Sequence, residues 1–152
     1  MFELKLKEMG ITIPEAPKPL AAYVPAVKEG NLVFTSGQLP MSEGQLKYKG
    51  KLGKDISEED AKAAAKLCAI NCLSVVKSVI GSLDNIERIL KVVAFVNSAE
   101  DFTAQPAIAN GASEFFVEVF GDAGKHSRSA VGVSQLPLGA PVEVEIIVKV
   151  KN

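Results

Sequence analysis

Apolar residues recur with two different periods along the chain, and these periods predict its first elements. Residues 1–10 carry apolar side chains at helical spacing and end in glycine, which predicts a short amphipathic helix. Two β-rich runs follow at 23–28 and 32–36, and the tight turn at 29–31 joins them as a hairpin. Because Pro25 lies in the first run, we expect that strand to lie at a sheet edge or to carry a bulge.

Two longer helices are predicted in the middle of the chain. Ser57 precedes three acidic residues, which gives an N-cap and negative charge at the positive end of the helix dipole. An apolar stripe then runs to Ile80 and Gly81 ends the helix, whose length of about 24 residues corresponds to about 36 Å. A second helix has Pro106 near its first turn, phenylalanines on its apolar face, and an end at Gly121.

Three further strands are predicted around these helices. Residues 89–97 contain a single interior charge, which predicts a central strand buried on both faces. The runs 128–134 and 142–150 flank a turn at 136–141 that suits an antiparallel hairpin. Residues 40–55 are rich in glycine and lysine, and we interpret them as a solvated, mobile loop in preference to a nucleic-acid site.

The order of elements predicts an α+β fold. After the N-terminal helix the chain reads β-β-α-β-α-β-β, which gives a mixed sheet with two helices on one face. We divide the chain into an N-terminal extension, 1–20, with a short helix and a proline-rich lead-in, and a single domain, 21–152. In 142–150 every even-numbered residue is apolar, whereas the odd-numbered positions mix charges with Ile147. A mixed sheet face of this kind usually packs against another subunit, so we expect oligomerisation.

Composition narrows the class of protein. Of the 152 residues 47% are apolar, and 17 basic residues nearly balance 18 acidic ones, which excludes disorder and gives no bias toward polyanions or membranes. The chain starts without a signal-peptide pattern, and no window reaches the roughly 18 apolar residues of a spanning helix. Cys68 and Cys72, four apart in a helical pattern, are interpreted as a buried, reduced pair. We therefore expect a cytoplasmic protein with no membrane partner.

Arginine is scarce, and this makes its two positions informative. Of the 17 basic residues only Arg88 and Arg128 are arginines. Arg88 lies in a polar connector and is interpreted as solvated or locally paired. Arg128 opens a strand among small residues, where its planar fork could bind a carboxylate through two hydrogen bonds or pair with a glutamate. Glu143 and Glu145 lie on the sheet face expected inside an oligomer, either as a general base with a pKa raised by burial or in an ion pair.

Other catalytic chemistry finds little support in the sequence. His126 is the single histidine, and we expect it to be exposed in a Gly/Lys loop without a carboxylate partner. No metal-ligand spacing, phosphate-binding glycine pattern or Ser-His-Asp order is present, so the sequence predicts neither a metal nor a cofactor. A nucleic-acid partner is disfavoured by the net charge of -1 and by the lack of a second histidine.

Five short segments, taken in order, resemble the RidA/YjgF family of reactive-intermediate deaminases, also labelled L-PSP endoribonucleases. These segments are Tyr23-Val24-Pro25-Ala26-Val27, Phe34-Thr35-Ser36-Gly37-Gln38-Leu39-Pro40, Arg128-Ser129-Ala130-Val131, Leu136-Pro137 and Val142-Glu143-Val144-Glu145. Each is weak alone, but together they are specific and run from the end of the extension to the C-terminus. The residues at 110–113 and 124–128, together with the N-terminal helix, resemble a separate subfamily with a longer second helix.

The resemblance implies a chorismate-mutase-like fold and a homotrimer around a central barrel, with ligand sites in the clefts between subunits. It implies that Arg128 binds the substrate carboxylate, that Glu143 positions water, and that Tyr23 lies near the cleft. The backbone at Ser36-Gly37 would meet the ligand. Asn110 is the nearest match to an asparagine expected on the second helix.

The implied reaction is the hydrolysis of 2-imino acids or their enamine tautomers, of the 2-aminoacrylate type, to 2-oxo acids and ammonia without a cofactor. The implied partners are the small imino or oxo acid and further copies of the chain. Two alternatives stay open, namely a non-catalytic trimer that binds small carboxylates and an endoribonuclease or translation inhibitor. Ala130, at a position that is often cysteine, and the longer second helix leave the shape of the pocket open.

Overall fold

The computed structural model describes residues 1–18 and 22–152, so the last two residues of the predicted extension and the first of the predicted domain lie outside the described residues. The predicted elements are present, with one small ribbon added. In chain order they are α1 (Phe2–Glu8), β1 (Ala26–Glu29), β2 (Leu32–Thr35), β3 (Met41–Ser42), β4 (Gln45–Leu46), α2 (Glu58–Ile80), β5 (Ile86–Asn97), α3 (Gln105–Phe120), β6 (Ser127–Val133) and β7 (Val142–Val150).

Five of the strands form one mixed sheet in the order β1-β2-β7-β5-β6. Within this sheet β5 and β6 pair in parallel and the other neighbouring strands are antiparallel. The predicted edge position of β1 is confirmed, although Pro25 lies just before the strand and not in it. The hairpin predicted around 136–141 is wrong, because β6 and β7 lie on opposite sides of β5. The reason is the crossover through α3: β5, α3 and β6 form a parallel unit that fills the outer edge, so the chain must return past β5 to reach β7.

The end signals of α2 act as predicted. The Ser57 side chain accepts a hydrogen bond from the Asp60 amide at 3.1 Å, and Gly81 ends the helix at a φ of 84°. Contrary to the sequence-based expectation, α2 is long and apolar enough to cross a membrane by length and composition alone. Half of that window is buried in the protein, including Cys68 and Cys72, as in the core helix of a globular domain.

The two longer helices cover one face of the sheet. All even-numbered residues of β7 are buried, as predicted from their alternation. The predicted burial of β5 on both faces is wrong, because Val92 and Val96 lie under the helices whereas Val93 and Phe95 are only half-buried. The helices lie on one face of the sheet, so in the described part of the single chain no second layer covers the other face.

That uncovered face carries an ordered row of apolar residues. Val27 of β1 lies opposite Phe34 of β2, and Phe34 lies opposite Ile147 of β7. The side chains of Val27 and Phe34 are 50% and 40% exposed. Glu145 pairs in register with Val93, and Glu143 with Phe95, so two carboxylates alternate with the apolar positions. We call this surface the open face.

A close contact between α2 and α3 and an ordered loop hold the helices in place over the sheet. A Cβ at Gly111 of α3 would lie 2.8 Å from the carbonyl carbon of Lys62 in α2, so the two helix backbones touch there. The segment 40–55 is not the wholly solvated loop that was expected, because it contains the β3–β4 ribbon and the fully buried Leu52. Lys51 further ties it down by donating to the Asn97 side chain at 2.8 Å.

The N-terminal residues belong to the same core. Leu6 is buried, and the Phe2 ring packs edge-on against Phe120 at 4.6 Å between centroids. Asp84 caps α1 by accepting from the amides of Phe2 at 2.6 Å and Glu3 at 3.1 Å. The predicted short helix is therefore confirmed and is anchored on the C-terminal end of α3.

Candidate functional site

Arg128 lies on β6 with its guanidinium turned toward α3. Its register partner Val92 is buried under the helices, and paired residues of adjacent strands point to the same face. Nη1 of Arg128 donates to Oδ1 of Asn110 at 2.8 Å and to Oγ of Ser113 at 3.1 Å. The fold thus brings together two residues that the sequence singled out separately, Arg128 and Asn110.

Two further residues join this group that sequence reasoning did not place there. Oγ of Ser113 lies 2.9 Å from Nε2 of His126, and Nδ1 of His126 lies 2.6 Å from the carbonyl oxygen of Gly124. His126 is half-buried and hydrogen-bonded, so the expectation that it is exposed is wrong. The physical reason is the short turn after α3, which places the ring against the edge of Phe116 at 6.1 Å between centroids. We call Asn110, Ser113, His126 and Arg128 the arginine cluster.

The electrostatics of the arginine cluster favour a neutral imidazole. Burial lowers the pKa of His126, the hydrogen bond to Gly124 opposes that effect, and the nearby charge of Arg128 lowers the pKa further. Among the described residues no ion pair joins Arg128 to a carboxylate, and the glutamate partner considered from the sequence is not found. Arg88, by contrast, donates to the backbone oxygen of Lys125 at 3.0 Å.

The second group of candidate residues lies around Glu143 on the open face. A Cβ at Gly37 would collide with Oε1 of Glu143 and lie 2.8 Å from its Cδ, so the carboxylate lies across the Gly37 backbone. The segment is held there because Gln38 and Val144 exchange backbone hydrogen bonds of 2.8 and 3.0 Å. Burial raises the pKa of Glu143, and Glu145 adds to that effect, which agrees with the direction expected for a general base.

Ser36 and Tyr23 flank this second group. Oγ of Ser36 donates to the carbonyl oxygen of Val24 at 2.8 Å, which holds the segment that carries Tyr23 beside Ser36. Tyr23 precedes β1, not within it as predicted, and its side chain is 68% exposed. We call Tyr23, Ser36, Gly37 and Glu143 the carboxylate cluster.

The two clusters do not meet within one chain. Arg128 is level with Val92 and Ile146, whereas Glu143 lies on the second strand away and three residues further along it. Strand spacing and rise separate the two Cα atoms by roughly 14 Å. The side chains also point to opposite faces of the sheet, because Ile146 is buried under the helices and Glu143 alternates with it. A ligand that contacts both clusters would therefore require two copies of the chain.

The cysteines and the possible metal ligands of the described residues form no second centre of this kind. Cys68 and Cys72 are free thiols in the core, as predicted, and their Sγ atoms donate to backbone oxygens of Val142 and Val144 at 3.6 and 3.3 Å. Burial raises the pKa of both thiols, which keeps them protonated and unreactive. Within residues 1–18 and 22–152 no group of three or more His, Cys, Asp or Glu side chains could hold a metal ion.

Comparison with known proteins places these features in a wider group. Residues 3–149 match the family described as "YjgF/chorismate_mutase-like, putative endoribonuclease". The chain is 41% identical to Protein TCP17 of Trypanosoma cruzi, over 97% of this chain and 92% of that protein. It is 33% identical to a 2-iminobutanoate/2-iminopropanoate deaminase of Dermatophagoides farinae, over 93% and 95%. Among solved structures, the protein Atu1372 of Agrobacterium tumefaciens, of unknown function, is 42% identical with a TM-score of 0.92, over 99% and 92%.

Proposed function

The chain belongs to the YjgF/chorismate-mutase-like family, and on that premise we propose that it hydrolyses small 2-imino acids, or their enamine tautomers, to 2-oxo acids and ammonia. Membership of this family supports the proposal, and so does the 33% identity to a relative named 2-iminobutanoate/2-iminopropanoate deaminase. The observation that carries it is the guanidinium of Arg128, a fixed cation without a carboxylate partner among the described residues.

Arg128 suits the binding of a small carboxylate. Guanidinium has five N–H donors, and the two on Nη1 are engaged by Asn110 and Ser113. Three donors on Nε and Nη2 are left for a ligand, and two of them form the fork that matches the two oxygens of a carboxylate. Both the imino acid substrate and the oxo acid product carry that group.

We further propose that the functional unit is a homotrimer in which the open face is buried. Such an assembly would cover Val27, Phe34 and Ile147. An exposed row of apolar side chains of this kind favours contact with another protein surface. It would also bring the carboxylate cluster of one copy toward the arginine cluster of its neighbour. The roughly 14 Å and the sheet that separate Arg128 from Glu143 in a single chain support a site shared between copies.

The chemistry asks for orientation and one proton-accepting group. Arg128 binds the carboxylate, and Glu143 accepts a hydrogen bond from the water that attacks the imine carbon. The new carbon–oxygen bond gives a carbinolamine as the nitrogen takes up a proton. Glu143 then transfers the hydroxyl proton to the nitrogen, the carbon–nitrogen bond breaks as the carbon–oxygen double bond of the 2-oxo acid forms, and ammonia leaves. Because burial raises the pKa of Glu143, its carboxylate is a stronger proton acceptor than an exposed one, which suits this role.

A second candidate function is binding of a small carboxylate without turnover. It is favoured by the same separation of the two clusters, because the arginine cluster is complete within one chain while the carboxylate cluster is not near it. Cleavage of RNA, which the family description names, lacks comparable support in a chain of net charge -1.

The test is a coupled assay in which a pyridoxal-phosphate enzyme acting on threonine generates 2-iminobutanoate. We expect the protein to accelerate release of 2-oxobutanoate above the spontaneous rate, and Arg128→Ala to lose at least about 100-fold of that acceleration because the carboxylate anchor is gone. Lys5→Ala is the control, since it removes an exposed cation of α1 that belongs to neither cluster. Urea unfolding of each variant separates lost function from lost stability.

An unchanged rate with the wild-type protein would reject the deaminase proposal. Calorimetric titration with 2-oxobutanoate then decides between the two candidates, since binding that depends on Arg128 without any acceleration supports the binding module alone.

A further inference from the structure

The arginine cluster contains a hydrogen-bond chain whose direction can be assigned. The carbonyl oxygen of Gly124 only accepts, so Nδ1 of His126 must carry the hydrogen of that 2.6 Å contact. In the neutral ring Nε2 is then an acceptor, and the Ser113 hydroxyl donates to it over 2.9 Å. The lone pairs of the same hydroxyl oxygen accept from Arg128 at 3.1 Å. The order of donation is therefore Arg128 to Ser113, Ser113 to His126, and His126 to Gly124.

The far end of this chain is anchored on α3. A Cβ at Gly124 would lie 2.7 Å from the carbonyl carbon of Phe116, so the backbone at 124 rests directly on the helix. Asn110 and Ser113 are three apart on that same helix and therefore lie on one side of it. Both partners of Arg128 thus lie on α3, and the carbonyl that orients His126 lies in the turn that packs directly against this helix.

These hydrogen bonds leave one edge of the Arg128 guanidinium available to a ligand. Asn110 and Ser113 engage both hydrogens of Nη1, which prevents rotation about the bond from Cζ to Nη1 and fixes the plane of the group. The fork formed by Nε and Nη2 then points away from α3. Binding a carboxylate through that fork loses less conformational freedom than binding through an unrestrained arginine.

We infer that Ser113 and His126 are positioning residues of this site, which hold Arg128 with its Nε–Nη2 edge presented to the carboxylate of a small 2-oxo or 2-imino acid. The inference rests on the proposed function for the identity of the ligand. It concerns affinity and not the bond-breaking steps, because Ser113 lies beyond Nη1 and on the opposite side of the guanidinium from the ligand edge.

The first experiment measures the dissociation constant of 2-oxobutanoate by calorimetry for wild type, Ser113→Ala and Ser113→Thr. We expect Ser113→Ala to weaken binding about tenfold, as for the loss of one hydrogen bond to a charged group, and to raise KM with kcat changed less than about twofold. Ser113→Thr keeps the hydroxyl and should restore affinity to within about twofold of wild type. Ser78→Ala is the matched control, because Ser78 is an exposed serine of α2 whose hydroxyl donates to the backbone oxygen of Val75 in its own helix.

His126→Phe tests the remote end of the chain. It keeps a ring against Phe116 and removes both nitrogens, so Ser113 loses its acceptor and we expect a weakening of the same order as in Ser113→Ala. Should this variant fail to fold, Ser113→Ala alone still decides the inference.

A second measurement needs no ligand. In NMR spectra of protein labelled with nitrogen-15 arginine, we expect the Nη1 hydrogens of Arg128 to show slow rotation in wild type and fast rotation in Ser113→Ala. Equal rotation in both, or an unchanged dissociation constant in Ser113→Ala, overturns the inference and leaves the deaminase proposal standing. The converse result is also possible to distinguish. If wild type binds 2-oxobutanoate with an affinity that depends on Ser113 but does not accelerate product release, the deaminase proposal is rejected and the inference stands.

Discussion

Ile146 and Ile147 are neighbours in the same strand, yet their surroundings differ completely. Ile146 is 1% exposed beneath the helices, whereas Ile147 lies half-exposed on the open face beside Phe34. The strand alternates between a side that the chain completes by itself and a side that it leaves apolar and uncovered. The difference teaches that the nine residues of β7 serve two surfaces at alternate positions, namely the core of the chain and the apolar row that we propose as an interface between copies.

The largest effect is expected on the covered side. Ile146→Ala removes a fully buried side chain and should lower the free energy of unfolding by about 3 kcal/mol, because the rigid helical layer cannot close the cavity. Ile147→Ala is the matched control and should cost less than about 1 kcal/mol within the subunit. Urea unfolding under conditions of equal oligomeric state measures both. Equal losses for the two variants would show that the faces do not differ as the geometry indicates.

A charge on the open face should break assembly without breaking the fold. Phe34→Asp places a carboxylate in the row formed by Val27 and Ile147, which we expect to cost about 2 kcal/mol at each proposed interface. Light scattering should show a monomer, with the far-ultraviolet circular dichroism of wild type. Phe34→Leu serves as the control and should keep the wild-type mass. A Phe34→Asp protein that retains the wild-type mass would contradict the proposed homotrimer.

The smallest effect concerns the carboxylate of Glu143 on the open face. Its raised pKa means that the folded state prefers the protonated form, so this group contributes stability below the ordinary carboxyl pKa and loses it as pH rises through the raised value. Glu143→Gln does not titrate. We therefore expect the variant to be slightly more stable than wild type at neutral pH.

That advantage should shrink as pH falls toward about 4, where the carboxyl is protonated in both folded and unfolded chains. Urea midpoints at several pH values provide the measurement, and the exposed Glu118→Gln gives the background. If Glu143→Gln is less stable than wild type at neutral pH, this result contradicts a raised pKa of Glu143.

Short sequence signals predicted the helices and strands well because the interactions that start, end and orient these elements involve nearby residues. The cap at Ser57, the stop at Gly81 and the alternation in β7 each depend on residues within one or two turns of chain. Strand pairing failed at 136–141 because a turn that suits a hairpin does not decide which strand its second arm meets. That choice depends on the crossover through α3, which only the whole sheet reveals.

The candidate site was predicted in pieces. The scarcity of arginine singled out Arg128, and the family resemblance suggested Asn110, but neither indicated what holds the guanidinium. Ser113 follows Asn110 at helical spacing, and His126 precedes Arg128 by two residues on the approach to the same strand. These two spacings were the available signal for the missed residues. The sequence does not show that α3 lies beside β6, and this packing is what brings Ser113 and His126 to Arg128.

Gly111 sits between Asn110 and Ser113, at the point where α3 touches the backbone of Lys62. A methyl group there would lever α3 away from α2 and carry both partners of Arg128 with it. Substitutions at this position therefore cannot be judged by stability alone, since a chain that tolerated the wider spacing would still have its guanidinium aimed elsewhere. In an engineering programme, a substitution at position 111 would change the preference for the proposed ligand from a distance, without altering any residue proposed to touch it.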